Sequence, residues 1–154
     1  MVEDLLIRRA REEDLPALIA LFSADDVGGH GDTTDPAAFD DYLRAFNMIE
    51  ASANEQLFAA ELAGEVVGTF QIMFSRTLTG RGGLVMVIEA VQTRDDMRGK
   101  GIGATMVNYA IAEAARRDCR LVQLASNMAR TDAHRFYERL GFAKSHVGFK
   151  MRLK

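Results

Sequence analysis

The 154-residue sequence predicts one domain, residues 1–154, of α/β class in the layered α+β sense, with strands and helices mixed and not strictly alternating. Three observations carry this expectation. Two strand-like runs, Gln56–Leu62 and Val66–Phe74, are joined by the tight turn Ala63-Gly64-Glu65, as in an antiparallel hairpin. The apolar run Leu84-Val85-Met86-Val87-Ile88 leads through a glycine-rich turn, Met97 to Gly103, into a stretch of helix formers. The whole order is strand, two helices, antiparallel strands, helix, strand, helix, strand, which is not a repeating βαβ series.

Taken in order, Leu5-Leu6-Ile7-Arg8 forms the first predicted strand. Leu15, Leu18, Ile19 and Leu21-Phe22 recur at helical spacing behind the acidic Glu12-Glu13-Asp14, whose charges suit a helix N-terminus. Asp25 to Asp35 is a loop of glycines and acids without a period. Pro36 opens a second helix with Phe39, Tyr42, Leu43, Phe46 and Ile49 on its apolar face. After the hairpin and a glycine turn at 78–83, a strand spans Leu84–Thr93. The helix after the Met97–Gly103 turn carries Ile102, Met106, Ala110, Ile111 and Ala114 on one side. Cys119–Ala125 is the next strand, with Asn127 just beyond it. Thr131–Leu140 is a short helix, with Thr131 as N-cap and Gly141 at the left-handed C′ position. Val147–Leu153 alternates apolar and polar residues and predicts a final strand.

Bulk properties narrow the function. A formal net charge of −3 with interspersed signs argues against broad binding to nucleic acid. No apolar run approaches the roughly 20 residues of a membrane span, and the acidic start Met1-Val2-Glu3-Asp4 lacks the features of a signal peptide. The lone Cys119 suits a reducing, cytoplasmic setting and shows no mark of a nucleophile. His30, His134 and His146 have no metal-ligand spacing, so no metal site is expected, and His134 is expected to face solvent.

The turn Arg98-Gly99-Lys100-Gly101-Ile102-Gly103 is the chemical centre of the sequence. Its glycines let a ligand approach the backbone, and a helix N-terminus offers unpartnered N–H groups to an anion. A phosphate-bearing ligand is therefore expected. A P-loop is disfavoured, because Lys100 is followed by Gly101 and not by Ser or Thr. Gly99-x-Gly101-x-x-Ala104 matches a dinucleotide fingerprint formally, but the next strand ends Leu124-Ala125-Ser126-Asn127, without the acid that would hold a ribose.

Arg98–Gly103 resembles the Arg/Gln-x-x-Gly-x-Gly/Ala signature of the GNAT superfamily of acyl-coenzyme A dependent N-acetyltransferases. Ile88–Thr93 looks like the strand that precedes that signature. Ala133-His134-Arg135-Phe136-Tyr137-Glu138-Arg139-Leu140-Gly141-Phe142 is similar to the family's Ala-x-x-Phe-Tyr-x-x-x-Gly-Phe segment. The resemblance implies a mixed, mostly antiparallel central sheet with helices on both faces, and acetyl-CoA as donor substrate. It implies that the backbone of Arg98, Gly99, Lys100, Gly101, Ile102 and Gly103 holds the pyrophosphate. It implies too that Val91, Gln92 and Thr93 pair with the pantetheine arm at a bulge, and that Asn127 bonds an arm amide.

Glu89 follows five apolar residues in a predicted central strand, where an unpartnered carboxylate is costly. It is expected to remove the proton of the attacking amine, to recognise a substrate ammonium, or to pair with a structural partner. By resemblance Tyr137 protonates the leaving thiolate, packing beside Phe136 being the alternative, and the Val91 N–H meets the oxyanion. The expected reaction moves acetyl to a primary amine by direct attack in a ternary complex. A non-catalytic coenzyme A binding module with a regulatory or assembly role is the alternative. The acceptor is a small-molecule, peptide or protein amine, which Asp25, Asp26, Asp32 and Asp35 could draw in, and a homodimer is compatible with the sequence.

Overall fold

The computed structural model describes residues 2–27 and 30–154. Met1, and Gly28 and Gly29 of the predicted loop, lie outside the described residues. The chain divides into two compact units, Met1–Leu124 and Ala125–Lys154.

The first unit is a five-stranded mixed sheet with helices on both faces. Strands β1 (Leu6–Arg9), β2 (Glu55–Leu62), β3 (Glu65–Arg76), β4 (Leu84–Thr93) and β5 (Leu121–Leu124) lie in that spatial order. The first three neighbour pairs are antiparallel; β4 and β5 are parallel. β2 shows why its centre is apolar without a break. Leu57 and Ala59 join the core formed with α1 (Leu15–Ser23) and α2 (Phe39–Ala51), which includes Leu18, Ile19 and Phe46. Phe58 lies in a second aromatic group, stacked on Phe70 at 4.9 Å and met edge-on by Tyr109 of α3 (Ile102–Arg116). Both faces are covered, so period-2 alternation disappears. The buried Thr69 hydroxyl donates to the Phe58 carbonyl at 2.7 Å, which satisfies the polar atom inside this core.

Two devices fix the unit. Gly68 of β3 admits α3: a Cβ there would meet the Met106 sulfur at 2.9 Å and the Gln92 carbonyl oxygen at 3.1 Å. The Arg8 guanidinium on β1 makes a two-pronged bond to Asp14, at 2.7 and 2.9 Å, and reaches Glu61 at 3.0 Å. Asp14 is buried and also accepts the Arg11 N–H, so its carboxylate is held below the usual range, first by the bond to Arg8. The acids 12–14 thus form a 3-10 turn ahead of α1, with Asp14 serving as an anchor.

The second unit has one helix, α4 (Thr131–Arg139), and no buried residue. Its helix begins one step from expectation: Arg130 is the N-cap, and Thr131 is the first helical residue. Gly141 has φ +103°, and the Phe142 N–H reaches the Tyr137 carbonyl, as a left-handed C′ residue permits. The predicted final strand is absent. Residues 143–154 have no regular secondary structure and are exposed throughout. Alternation gives a segment the capacity to be a strand; a ladder also needs a neighbour, and none is paired with it among the described residues.

Candidate active site

The site starts from a fault in β4. Thr69 pairs with Gln92 and Gln71 with Glu89, so Ala90 and Val91 together face Phe70. This is a β-bulge, and Ala90 takes its left-handed position at φ +53°, a conformation an L-alanine rarely adopts. Pairing with β5 stops at the same place, at Ile88 opposite Leu124. From Glu89 to Thr93 the β5-facing edge of β4 therefore has no strand on it among the described residues.

Glu89 sits at the start of this open edge and is exposed, which corrects the expectation of a carboxylate buried in a central strand. The reason is the bulge: the residues following Ile88 leave the two-sided packing of the sheet. The carboxylate has no hydrogen-bond or ion-pair partner among the described residues. Val91, Gln92 and Thr93 are half-buried along the edge. The Gln92 side-chain amide donates to Asp25 at 2.9 Å, tying β4 to the loop after α1. That loop, with Phe22, Asp26, His30 and Asp32, lines an open cavity of about 200 Å³. Asp25 accepts the Val27 N–H at 3.2 Å, Asp32 accepts from the Tyr42 hydroxyl at 2.7 Å and Asp35 caps a 3-10 turn through the Ala37 N–H, so three of the four loop acids shape the loop itself.

Beyond Thr93, a 3-10 turn over Asp95–Met97 leads to the glycine turn. Gly99 and Gly101 have φ of +75° and +84°, and Gly101 is the left-handed N-cap of α3. A Cβ on Gly99 would meet nothing within 4 Å, and on Gly101 only Val2 at 3.6 Å, so the space before the helix is open. The first bond across the N-terminus of α3 is Thr105 N–H to the Gly101 carbonyl, which leaves the N–H groups of Ile102, Gly103 and Ala104 without intrahelical acceptors. The turn is suited to an anion through its backbone. The side chains contribute less: Arg98 pairs with Asp95 at 2.9 Å at the surface, and the Lys100 ammonium lies 3.8 Å from the Met97 sulfur.

In the second unit, Asn127 is a turn-former. Its Oδ1 accepts the Ala129 N–H at 2.9 Å, and its carbonyl oxygen lies 2.9 Å from Nε2 of His134. His134 is thus half-buried and engaged, not turned to solvent as expected. Tyr137 on α4 touches Phe136 and Phe142 edge-on, at 5.1 and 5.9 Å. Burial pushes its phenol above the ordinary value, with Arg130 opposing, so the hydroxyl holds its proton at neutral pH. Cys119 is half-buried and its thiol is also raised by burial, the reverse of an activated nucleophile. Among the described residues no group of three or more His, Cys, Asp or Glu could hold a metal ion, and no helix is long and apolar enough to cross a membrane.

Neither the left-handed Ala90 nor the Gln92–Asp25 bond is legible in the sequence. The first is a register mismatch between two strands; the second joins residues 67 positions apart.

Comparison with known proteins agrees with this architecture. The family model described as "Acetyltransferase (GNAT) family" matches residues 6–142. An aminoalkylphosphonate N-acetyltransferase of Salmonella typhimurium is 34% identical over 115 residues, covering 75% of this chain and 72% of its own. A solved structure described as a transcriptional regulator from Bacillus halodurans C-125 is 38% identical, with a TM-score of 0.93, and the match covers 97% of this chain and 99% of that one. Glucosamine-6-phosphate N-acetyltransferase from Arabidopsis thaliana shares the fold at 20% identity and a TM-score of 0.80, over 99% of this chain and all of its own. The chain belongs to the acetyltransferase (GNAT) family.

Proposed function

We propose that residues 1–154 act as one N-acetyltransferase domain that moves acetyl from acetyl-CoA to a primary amine, by direct attack in a ternary complex. The observation that carries this is the stretch of β4, Glu89–Thr93, that pairs with β3 on one side but not with β5 on the other, and that runs on to the glycine turn at the head of α3. An extended, amide-rich pantetheine arm is suited to a strand edge, and a pyrophosphate to a helix N-terminus. One ligand carries both groups in that order.

In this reading Val91, Gln92 and Thr93 hold the arm, and the backbone of Arg98–Gly103 holds the pyrophosphate. The amide nitrogen of Asn127 supplies a further donor, its oxygen being taken by Ala129. Glu89 takes the proton of the incoming ammonium, directly or through water. The free amine attacks the thioester carbonyl, whose oxygen is met by the Val91 N–H. The C–N bond forms, the C–S bond breaks, and Tyr137 gives its proton to the departing sulfur. The raised phenol supports that acid role, because a group that stays protonated can donate. The unpaired Cys119 fits a cytoplasmic setting. An amine acceptor is supported by the Salmonella relative, and aminoalkylphosphonates head the compounds to try.

The test is thermal shift with coenzyme A, then thiol release from acetyl-CoA over a panel of aminoalkylphosphonates, amino sugars, amino acids and lysine peptides. Stabilisation together with amine-dependent release is the expected result. A second reading, a coenzyme A binding module with a regulatory role and no turnover, is favoured by the description of the Bacillus halodurans relative. Stabilisation without release from any acceptor would establish that reading over the enzyme. Regulation by broad contact with nucleic acid fits a net charge of −3 poorly.

A further inference from the structure

Five exposed arginines gather at one end of the sheet in the first unit, away from the open edge of β4. Arg76 closes β3 and pairs across with Leu84, the first residue of β4. On the other side of Leu84, the Arg120 N–H donates to the Leu84 carbonyl at 2.7 Å. The two arginines thus flank Leu84 in one row, and residues in such a row share a face of the sheet. Phe74, two residues before Arg76, lies on that face too, with the Arg117 guanidinium 4.2 Å over its ring. Arg116 and Arg117 end α3, and Arg81 lies in the turn between β3 and β4. That turn is shaped around Arg120. Gly83 has an ordinary φ of −65°, yet a Cβ there would lie 2.5 Å from Cδ of Arg120. A Cβ on Gly80 would lie 2.5 Å from Cζ of the same side chain. Arg76 donates to the Gly82 carbonyl, so it is held to the same turn. Arg81 is left-handed at φ +59°, a position that suits glycine and that carries a cation instead.

These charges are not neutralised within the cluster. Arg116 and Arg117 share the one carboxylate of Glu113. Arg76 has a carbonyl as its partner, and the guanidinium groups of Arg81 and Arg120 have no hydrogen bond or ion pair among the described residues. Asp118, next to Arg117 in sequence, is the second acid here. Five arginines against these two acids give +3, which leaves −6 on the rest of a chain whose total is −3. Like charges held together repel, and an anion brought from outside relieves them. The five bases are all arginine, whose planar fork pairs with a carboxylate two-pronged. Leu78 of the same turn is 95% exposed and adds an apolar contact beside them. A long nucleic acid or an anionic membrane would reach past the cluster to the acidic remainder of the chain and be repelled there. A short acidic segment with an apolar residue meets the cluster alone.

We propose that Arg76, Arg81, Arg116, Arg117 and Arg120, with Leu78, dock a short acidic segment of another protein. Leu84, at the cluster, and Glu89, at the open edge, are five residues apart on β4, roughly 16 Å in a strand. Docking therefore leaves the open edge free and stands apart from the transfer chemistry.

Fluorescence anisotropy on the full chain reads the docking, with a labelled peptide of Glu and Asp around one central Leu as probe. Saturable binding at low salt, weakening as salt is raised, is expected. Arg81→Gln with Arg120→Gln is expected to weaken it about 10-fold or more while far-ultraviolet circular dichroism stays unchanged. Arg81→Gln alone, in the exposed turn, is expected to weaken it in the same direction. Gly83→Ala removes no charge but displaces the Arg120 side chain, and is expected to weaken binding as well. No binding at low salt overturns the proposal, as does affinity unchanged by Arg81→Gln with Arg120→Gln. Equal binding of the peptide with Gln and Asn in place of its acids overturns it too. Tighter binding of single-stranded DNA of the same length, or of phosphatidylglycerol vesicles, assigns the cluster to a phosphate-bearing polyanion and overturns the acidic protein segment.

Discussion

Glu89 and Tyr137 are placed by different physics, and their substitutions should differ accordingly. A carboxylate that relieves an amine of its proton matters most where the amine is protonated. Glu89→Gln is therefore expected to lower the rate steeply near neutral pH and less as pH nears the amine's own value of roughly 10. An unchanged ratio to wild type across that range would remove the base role. Tyr137→Phe keeps the ring contacts with Phe136 and Phe142 and removes only the proton donor. A loss in kcat of roughly 10²-fold with little change in KM is expected from steady-state kinetics. Asp14 carries a stability prediction. Its folded-state value is lowered, so the pair with Arg8 contributes fully above the unfolded value of about 3.9 and is lost as pH falls through the lower folded value. Arg8→Met should cost on the order of 3 kcal/mol at neutral pH, because it strands a buried carboxylate, and should flatten the acid limb of stability measured by urea titration. Of these residues, the sequence pointed to Glu89 and Tyr137 through motif and position. It could not reveal that Glu89 is exposed, because exposure there follows from how β3 and β4 fall out of register.

Elements were legible where the signal is local. The strand Leu84–Thr93 and the helix after the glycine turn follow from apolar runs and period alone, and the structure agrees closely in their bounds. The glycine turn was legible too, as three glycines in five positions, of which Gly99 and Gly101 are left-handed and Gly103 lies within α3. Gly101→Ala tests them: forcing an alanine to φ +84° is expected to cost about 1–2 kcal/mol in thermal or chemical unfolding, and to weaken acetyl-CoA binding in titration by crowding the head of α3. Retained affinity would remove the turn from donor binding. The C-terminal arm marks the opposite limit. Its alternation told that Val147–Leu153 can be a strand, but the partner of a strand is not written in the strand.

For the whole molecule, the fold class followed from element order, since a hairpin ahead of a strand–turn–helix unit leaves few layer arrangements. What order does not specify is where a sheet stops pairing. That interruption gives the global prediction: a ligand bound only by the folded chain, at 100 times its dissociation constant, should stabilise it by about 2.7 kcal/mol. Coenzyme A is expected to do so in thermal shift, and dephosphorylated or phosphate-free pantetheine fragments to do so less. The gap beside β4 also bears on how the protein behaves when no donor is present. A strand edge inside a sheet is as adhesive to stray chains as one at its margin. Glu89, exposed at the mouth of the gap, places a negative charge where an intruding strand would dock. Glu89→Gln is therefore expected to make the donor-free protein more prone to aggregate, read by light scattering over time, with coenzyme A restoring its solubility.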